Sequence, residues 1–123
     1  MPRPSFDKFA DMLDAAVNRI PPPLCKYLTG GFNLQEGKKQ ADNYYILGEY
    51  YDNGNLGCFI MFYYGSFVEV LKDKPLEIWE AEIMETVRHE LRHHLEAQAG
   101  RDDLVREETE ELAKALHEKW TAK

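Results

Sequence analysis

The 123-residue chain predicts an α+β domain in which helices enclose a small antiparallel or mixed sheet. Three observations lead there. Apolar residues recur at helical spacing up to residue 20 and again from Pro75, while the stretch between is dense in Tyr, Phe and Ile. No repeat, low-complexity segment or linker divides the chain. The length suits one domain over residues 1–123, and 44% hydrophobic with 30% charged residues provide both a core and a polar surface.

Residues 6–20 read as an amphipathic helix, with Phe6, Phe9, Ala10, Leu13, Ala16, Val17 and Ile20 on one stripe. Ser5 is placed to cap it, because its hydroxyl accepts from a free N–H of the first turn. Pro21-Pro22-Pro23 ends it, since prolines lack the N–H a helix needs. A short helical turn over 24–28 follows, and Gly30-Gly31 breaks the chain again. Residues 44–51 and 57–64 flank Asp52-Asn53-Gly54-Asn55, the pattern of an antiparallel hairpin. Phe32–Leu34 is a third, shorter strand, and the polar stretch 35–43 is expected to be a loop. Tyr64-Gly65-Ser66 marks a switch from strand to a short helix carrying Phe67, Val68, Val70 and Leu71.

From Pro75 onward Leu76, Trp79, Ile83, Val87, Leu91 and Leu95 keep a three- or four-residue step until Gly100, which suits a helix end. Asp102 or Asp103 then caps a last helix with Val105, Leu112, Leu116 and Trp120 on one side. Glu107 and Glu108 open that helix, where its dipole favours negative charge.

Fifteen Lys and Arg against 22 Asp and Glu leave a formal charge of -7. That balance argues against nucleic acid or an anionic membrane as partner, since both need a basic footprint. No apolar run approaches the roughly 20 residues of a bilayer span, and Met1-Pro2-Arg3-Pro4 does not open a secretory signal. Cys25 and Cys58 have no CxxC or framework spacing, so reduced thiols and a cytoplasmic setting are expected.

The chemistry concentrates in Arg88-His89-Glu90-Leu91-Arg92-His93-His94-Leu95-Glu96, which holds three of the four histidines. His89-Glu90-x-x-His93 is the HExxH pattern of zinc hydrolases, and it falls inside a predicted helix. Four residues at about 100° each bring the two imidazoles within about 40° of one another, one turn apart. Two nitrogens so placed can reach one zinc ion at about 2.0–2.1 Å. Glu90, on a neighbouring direction, can take a proton from water as general base and pass it to a leaving amine. The bland alternative is a solvated helix face on which Glu85, Arg88, Arg92 and Glu96 pair at i, i+3 and i, i+4. His94 points about 100° away and is expected to pack rather than ligate, and His117 is expected at the surface.

A catalytic zinc site needs a third protein ligand. The metzincin pattern would place Gly at 96 and His at 99; the chain has Glu96 and Ala99. Glu96 lies a full turn beyond His93, and three ligands in one row fit a tetrahedron poorly. A reversal at Gly100 would return Asp102 or Asp103 toward the metal, with Glu107, Glu108 and Glu111 as further possibilities.

This arrangement resembles the mini-zincins, small single-domain relatives of zinc metallopeptidases. The likeness runs from about Tyr44 to Leu104. It covers Phe59-Ile60-Met61-Phe62-Tyr63, the turn Tyr64-Gly65, the helix over 67–71 and the doubled histidine closing His89-Glu90-Leu91-Arg92-His93-His94. The family motif continues HExxHxxGxxD; here Gly100 comes four residues late and is followed by Asp103. The resemblance implies a zincin-like minimal domain, with His89, His93 and Asp103 as Zn2+ ligands, Glu90 as general base and a peptide or protein as substrate. In such an enzyme an edge strand holds the extended substrate by main-chain pairing, and the 57–63 run is the expected strand. Tyr63 and Tyr64 carry phenols that could serve an oxyanion, with nothing in the spacing to select either. The alternative function is a non-catalytic module binding a peptide or protein partner, its metal structural or absent.

Overall fold

A computed structural model describes residues 3–54 and 57–100 of the chain. The expected last helix, with Asp102, Asp103, Glu107, Glu108, Glu111 and His117, lies outside the described residues.

Helix α1 spans Phe6–Val17, and the Ser5 side chain accepts from the Lys8 N–H at 3.1 Å as its spacing predicts. It ends three residues earlier than the apolar stripe. Arg19 and Ile20 bond back to Ala16 and Val17 instead, a tightening that follows from Pro21 disfavouring helical backbone in the residue before it. A 3-10 turn, Pro22–Cys25, buries Leu24.

Strand β1 is Phe32–Gln35. The stretch expected as a loop contains a strand, β2 (Lys39–Ala41), which pairs antiparallel with β3 (Tyr44–Ile46) across the two-residue turn Asp42-Asn43. Asp42 adopts φ 51°, a left-handed conformation that Asp tolerates in tight turns. Buried Ser66 fixes this ribbon, accepting from the Lys39 N–H at 2.9 Å and donating to its C=O at 3.1 Å. The anticipated 44–51 strand is therefore split: its second half is β4, Gly48–Asp52.

The hairpin of β4 with β5 (Cys58–Tyr63) forms as predicted, with Tyr50 opposite Ile60. The Asp52 carboxylate accepts from the Gly54 N–H at 3.0 Å in its turn. β1 adds parallel to the other side of β5, so the order is β1-β5-β4. The 57–63 run is thus the central strand, paired on both sides, and not the edge strand expected for substrate. The edge beside the histidine helix is β4.

Helix α2 covers Tyr64–Leu71 and helix α3 covers Leu76–Ala99. Gly100 ends α3 where the pattern places the stop, although with right-handed φ −76°. The core forms where α1, α2 and α3 meet the inner face of β5, around fully buried Phe9, Ile60, Phe62, Phe67, Trp79 and Val87. Tyr64 leaves the site altogether, donating to the Pro4 C=O at 2.6 Å.

One glycine sets the distance between the edge strand and α3. A Cβ at Gly48 would stand 2.9 Å from Thr86 Cγ2, 3.3 Å from the Met61 C=O and 3.4 Å from Glu90 Cγ. Gly48→Ala is expected to lift β4 off the helix at a cost of about 1–3 kcal/mol, read as a lower denaturant midpoint.

Candidate metal centre

The motif occupies the middle of α3. Its inward residues Val87, Leu91 and Leu95 are buried against the core, which leaves His89 and His93 exposed on the opposite side. Their Nε2 atoms lie 3.3 Å apart. Two nitrogens bound to one tetrahedral zinc at about 2.0–2.1 Å are about 3.3–3.4 Å from each other, so the rings stand at the separation of a ligand pair. The Glu90 carboxylate lies 4.0 Å from His89 Nε2. Among the described residues, His89, Glu90 and His93 are the group whose donor atoms fall together, all within 4.8 Å of one another.

Glu96, weighed as a third ligand, approaches the other nitrogen of His93. Its Oε1 lies 3.8 Å from Nδ1, on the outer side of the ring. Glu96 is not among the donor atoms that fall together with those of His89 and His93. Asp103, the third ligand implied by the resemblance, lies outside the described residues together with Asp102. Two imidazoles with a neighbouring carboxylate form a group that could hold a metal ion.

Glu90 is 7% exposed. Burial pushes its carboxyl up to about 7; the Tyr50 main-chain N–H counters this and the Glu49 charge adds to it. A group with that value is suited to both accepting and returning a proton near neutrality. Raised above its ordinary 4.5, the metal-free carboxyl stabilises the fold fully below pH 4.5, and that contribution is lost as pH rises through 7. The loss is on the order of 3 kcal/mol, at about 1.4 kcal/mol per pH unit.

Glu49 runs in the opposite direction. Burial raises its carboxyl, but Lys39, Tyr51 and Tyr63 donate to it and outweigh burial, holding it below the usual range. Its contribution is therefore present above 4.5 and lost only in acid. Between pH 5 and 8, denaturation of the metal-free chain should show stability falling, and Glu90→Gln should flatten that slope.

Tyr63 is spoken for as well. It donates to Glu49 at 2.8 Å and lies 3.0 Å from the Tyr51 hydroxyl, and burial with these neighbours raises its phenol far above the ordinary value. The site residues that sequence reasoning missed are Gly48 and Tyr50. A lone glycine inside an aromatic strand does signal close backbone approach; nothing local marks Tyr50.

Two shallow recesses flank Glu90. One, about 650 Å³, is lined by Glu49, Tyr50, His93, Glu96 and Ala97; the other, about 340 Å³, by Tyr44, Ile46, Leu47, Thr86 and His89. Gly48 and Glu90 border both, so the two form a trough along α3 beside the β4 edge. His94 is buried away from it, as its direction on the helix predicts. Part of the bland surface reading also holds, with Arg88 paired to Glu85 at 3.0 Å.

No family model and no curated protein matches the chain. Among solved structures it is similar to a conserved hypothetical protein from Thermo thermophilus, with 35% identity over 80% of this chain and 100% of that one, at a TM-score of 0.72. Identity and coverage at that level show common descent, and the chain belongs to the same family as that protein.

Proposed function

We propose that the chain is a small zinc-dependent metallopeptidase of zincin-like type acting on peptide or protein substrates. The observation that carries this reading is the 3.3 Å separation of the His89 and His93 Nε2 atoms, with the Glu90 carboxylate beside them. His89 and His93 would hold the ion, with Asp103 the expected third ligand.

Zinc bound there supplies Lewis acidity, polarising a peptide carbonyl and acidifying water. Glu90 takes the proton of the attacking water and delivers it to the departing amine. The Tyr50 N–H favours the charged form of this carboxyl. The β4 edge, bordering the trough, offers main-chain groups to an extended peptide. The free thiols Cys25 and Cys58 suit a reducing, cytoplasmic setting, and among the described residues no helix is long and apolar enough to cross a membrane.

The test is hydrolysis of a mixed peptide library by zinc-loaded protein, followed by mass spectrometry. Cleavage that disappears in Glu90→Gln supports the reading. Zinc retention without cleavage by the wild type points to the binding module instead.

A further inference from the structure

We propose that the trough selects an extended, basic stretch of polypeptide, with Glu82 and Glu96 as its specificity residues. Selection needs only that chain binds in the trough; cleavage of what is bound rests on the peptidase reading. Glu49, Glu90 and Glu96 line one recess, and Glu82, Glu85 and Glu90 line the other. Among the described residues no Lys or Arg lines either. Two of these charges are balanced from outside the trough, Glu49 by Lys39 and Glu85 by Arg88 at 3.0 Å. Glu82 and Glu96 have no Lys or Arg so placed among the described residues; His93 Nδ1 stands 3.8 Å from Glu96, beyond hydrogen-bond distance. Where the recesses meet, Glu90 is 7% exposed, with His89 Nε2 4.0 Å from its carboxylate. The trough is therefore a groove whose outer charges are left for a ligand to balance.

Helix geometry sets the two acids in line with the histidines. At about 100° per residue, positions 82, 89, 93 and 96 fall within about 60° of one another. The rise of 1.5 Å per residue puts Glu82 about 10 Å before His89 and Glu96 about 4.5 Å beyond His93. An extended chain covers those spans in about three residues and about one residue. The strands follow the same course, with Tyr44 and Ile46 beside the Glu82 end and Tyr50 beside the Glu96 end. Tyr63 donates to the Leu47 C=O and Asn53 to the Gly57 C=O, so the odd-numbered residues of β4 bond β5. Alternation then turns the Gly48 main chain and the Tyr50 C=O to the open edge, as an extended chain requires. Next to Glu82 the Tyr44 side chain is 60% exposed. An aromatic face beside an unbalanced carboxylate suits Lys or Arg, whose apolar stem lies on the ring while its head meets the acid. An acidic chain would meet like charge at both ends.

Fluorescence anisotropy on the metal-free full chain tests the selection. The probes are three labelled peptides with blocked termini, alike except for two positions filled by Arg, Gln or Glu. At physiological ionic strength the Arg peptide is expected to bind about tenfold tighter than the Gln peptide, the product of two exposed ion pairs. The Glu peptide should bind more weakly than either. Glu82→Gln and Glu96→Gln should each lower affinity for the Arg peptide about two- to fivefold and leave the Gln peptide unchanged. Glu80→Gln, at an exposed acid of α3 outside the trough, is the control and should change nothing. No measurable binding, or equal affinity for the three peptides, would overturn the proposal. So would an equal loss in Glu80→Gln, which would mean bulk attraction to a chain of net charge -7. A zinc-loaded chain that binds the Arg peptide without cleaving it counts against the peptidase reading alone, because the affinity ratios still decide the selection.

Discussion

Glu90→Gln is expected to retain zinc and lose about 10²–10⁴-fold of peptide hydrolysis, the span associated with a positioned acid–base group. The substitution preserves shape, but it removes the oxygen that takes up a proton. Glu90 suits this role because it is 7% exposed and its carboxyl sits at about 7, a value set chiefly by burial beneath the β4 edge. Zinc content measured alongside the rate separates loss of the base from loss of the site. A Gln variant that hydrolyses at the wild-type rate would remove Glu90 from the mechanism.

His89→Ala and His93→Ala are each expected to weaken zinc binding by more than the 10–100-fold typical of losing an outer-shell partner. Both rings are exposed on α3, with side chains 61% and 49% accessible. Truncation therefore removes a donor without opening the core, and thermal stability of the metal-free variants should stay close to wild type. Competition with a chromophoric chelator reads the affinity. Wild-type affinity in both variants would show that the exposed pair decorates a solvated helix face.

The helices were legible because their apolar residues lie on one stripe and their ends are chemically marked, by Ser5 and Pro21 on α1 and by Pro75 and Gly100 around α3. The hairpin was legible from Asp52-Asn53-Gly54. The ribbon at Lys39–Ala41 was hidden because its stability comes from Ser66 and a two-residue turn, and its own residues carry no apolar alternation. The identity of the edge strand was hidden for a different reason. Alternation marks a strand's faces but not its neighbours, and β1 joins β5 in parallel from across the chain. Spacing alone placed His89, Glu90 and His93 together because one helix carries all three. Tyr50 comes to line the same recess as Glu90 only through tertiary packing, which no local pattern encodes.

Every catalytic expectation depends on His89 and His93 holding a single ion between their facing nitrogens. Zinc stoichiometry of protein purified without chelator, combined with X-ray absorption at the zinc edge, decides whether they do. About one zinc per chain is expected, with two imidazoles at about 2.0–2.1 Å. Substoichiometric zinc, or bound zinc with no histidine scattering, would refute the shared-ion site.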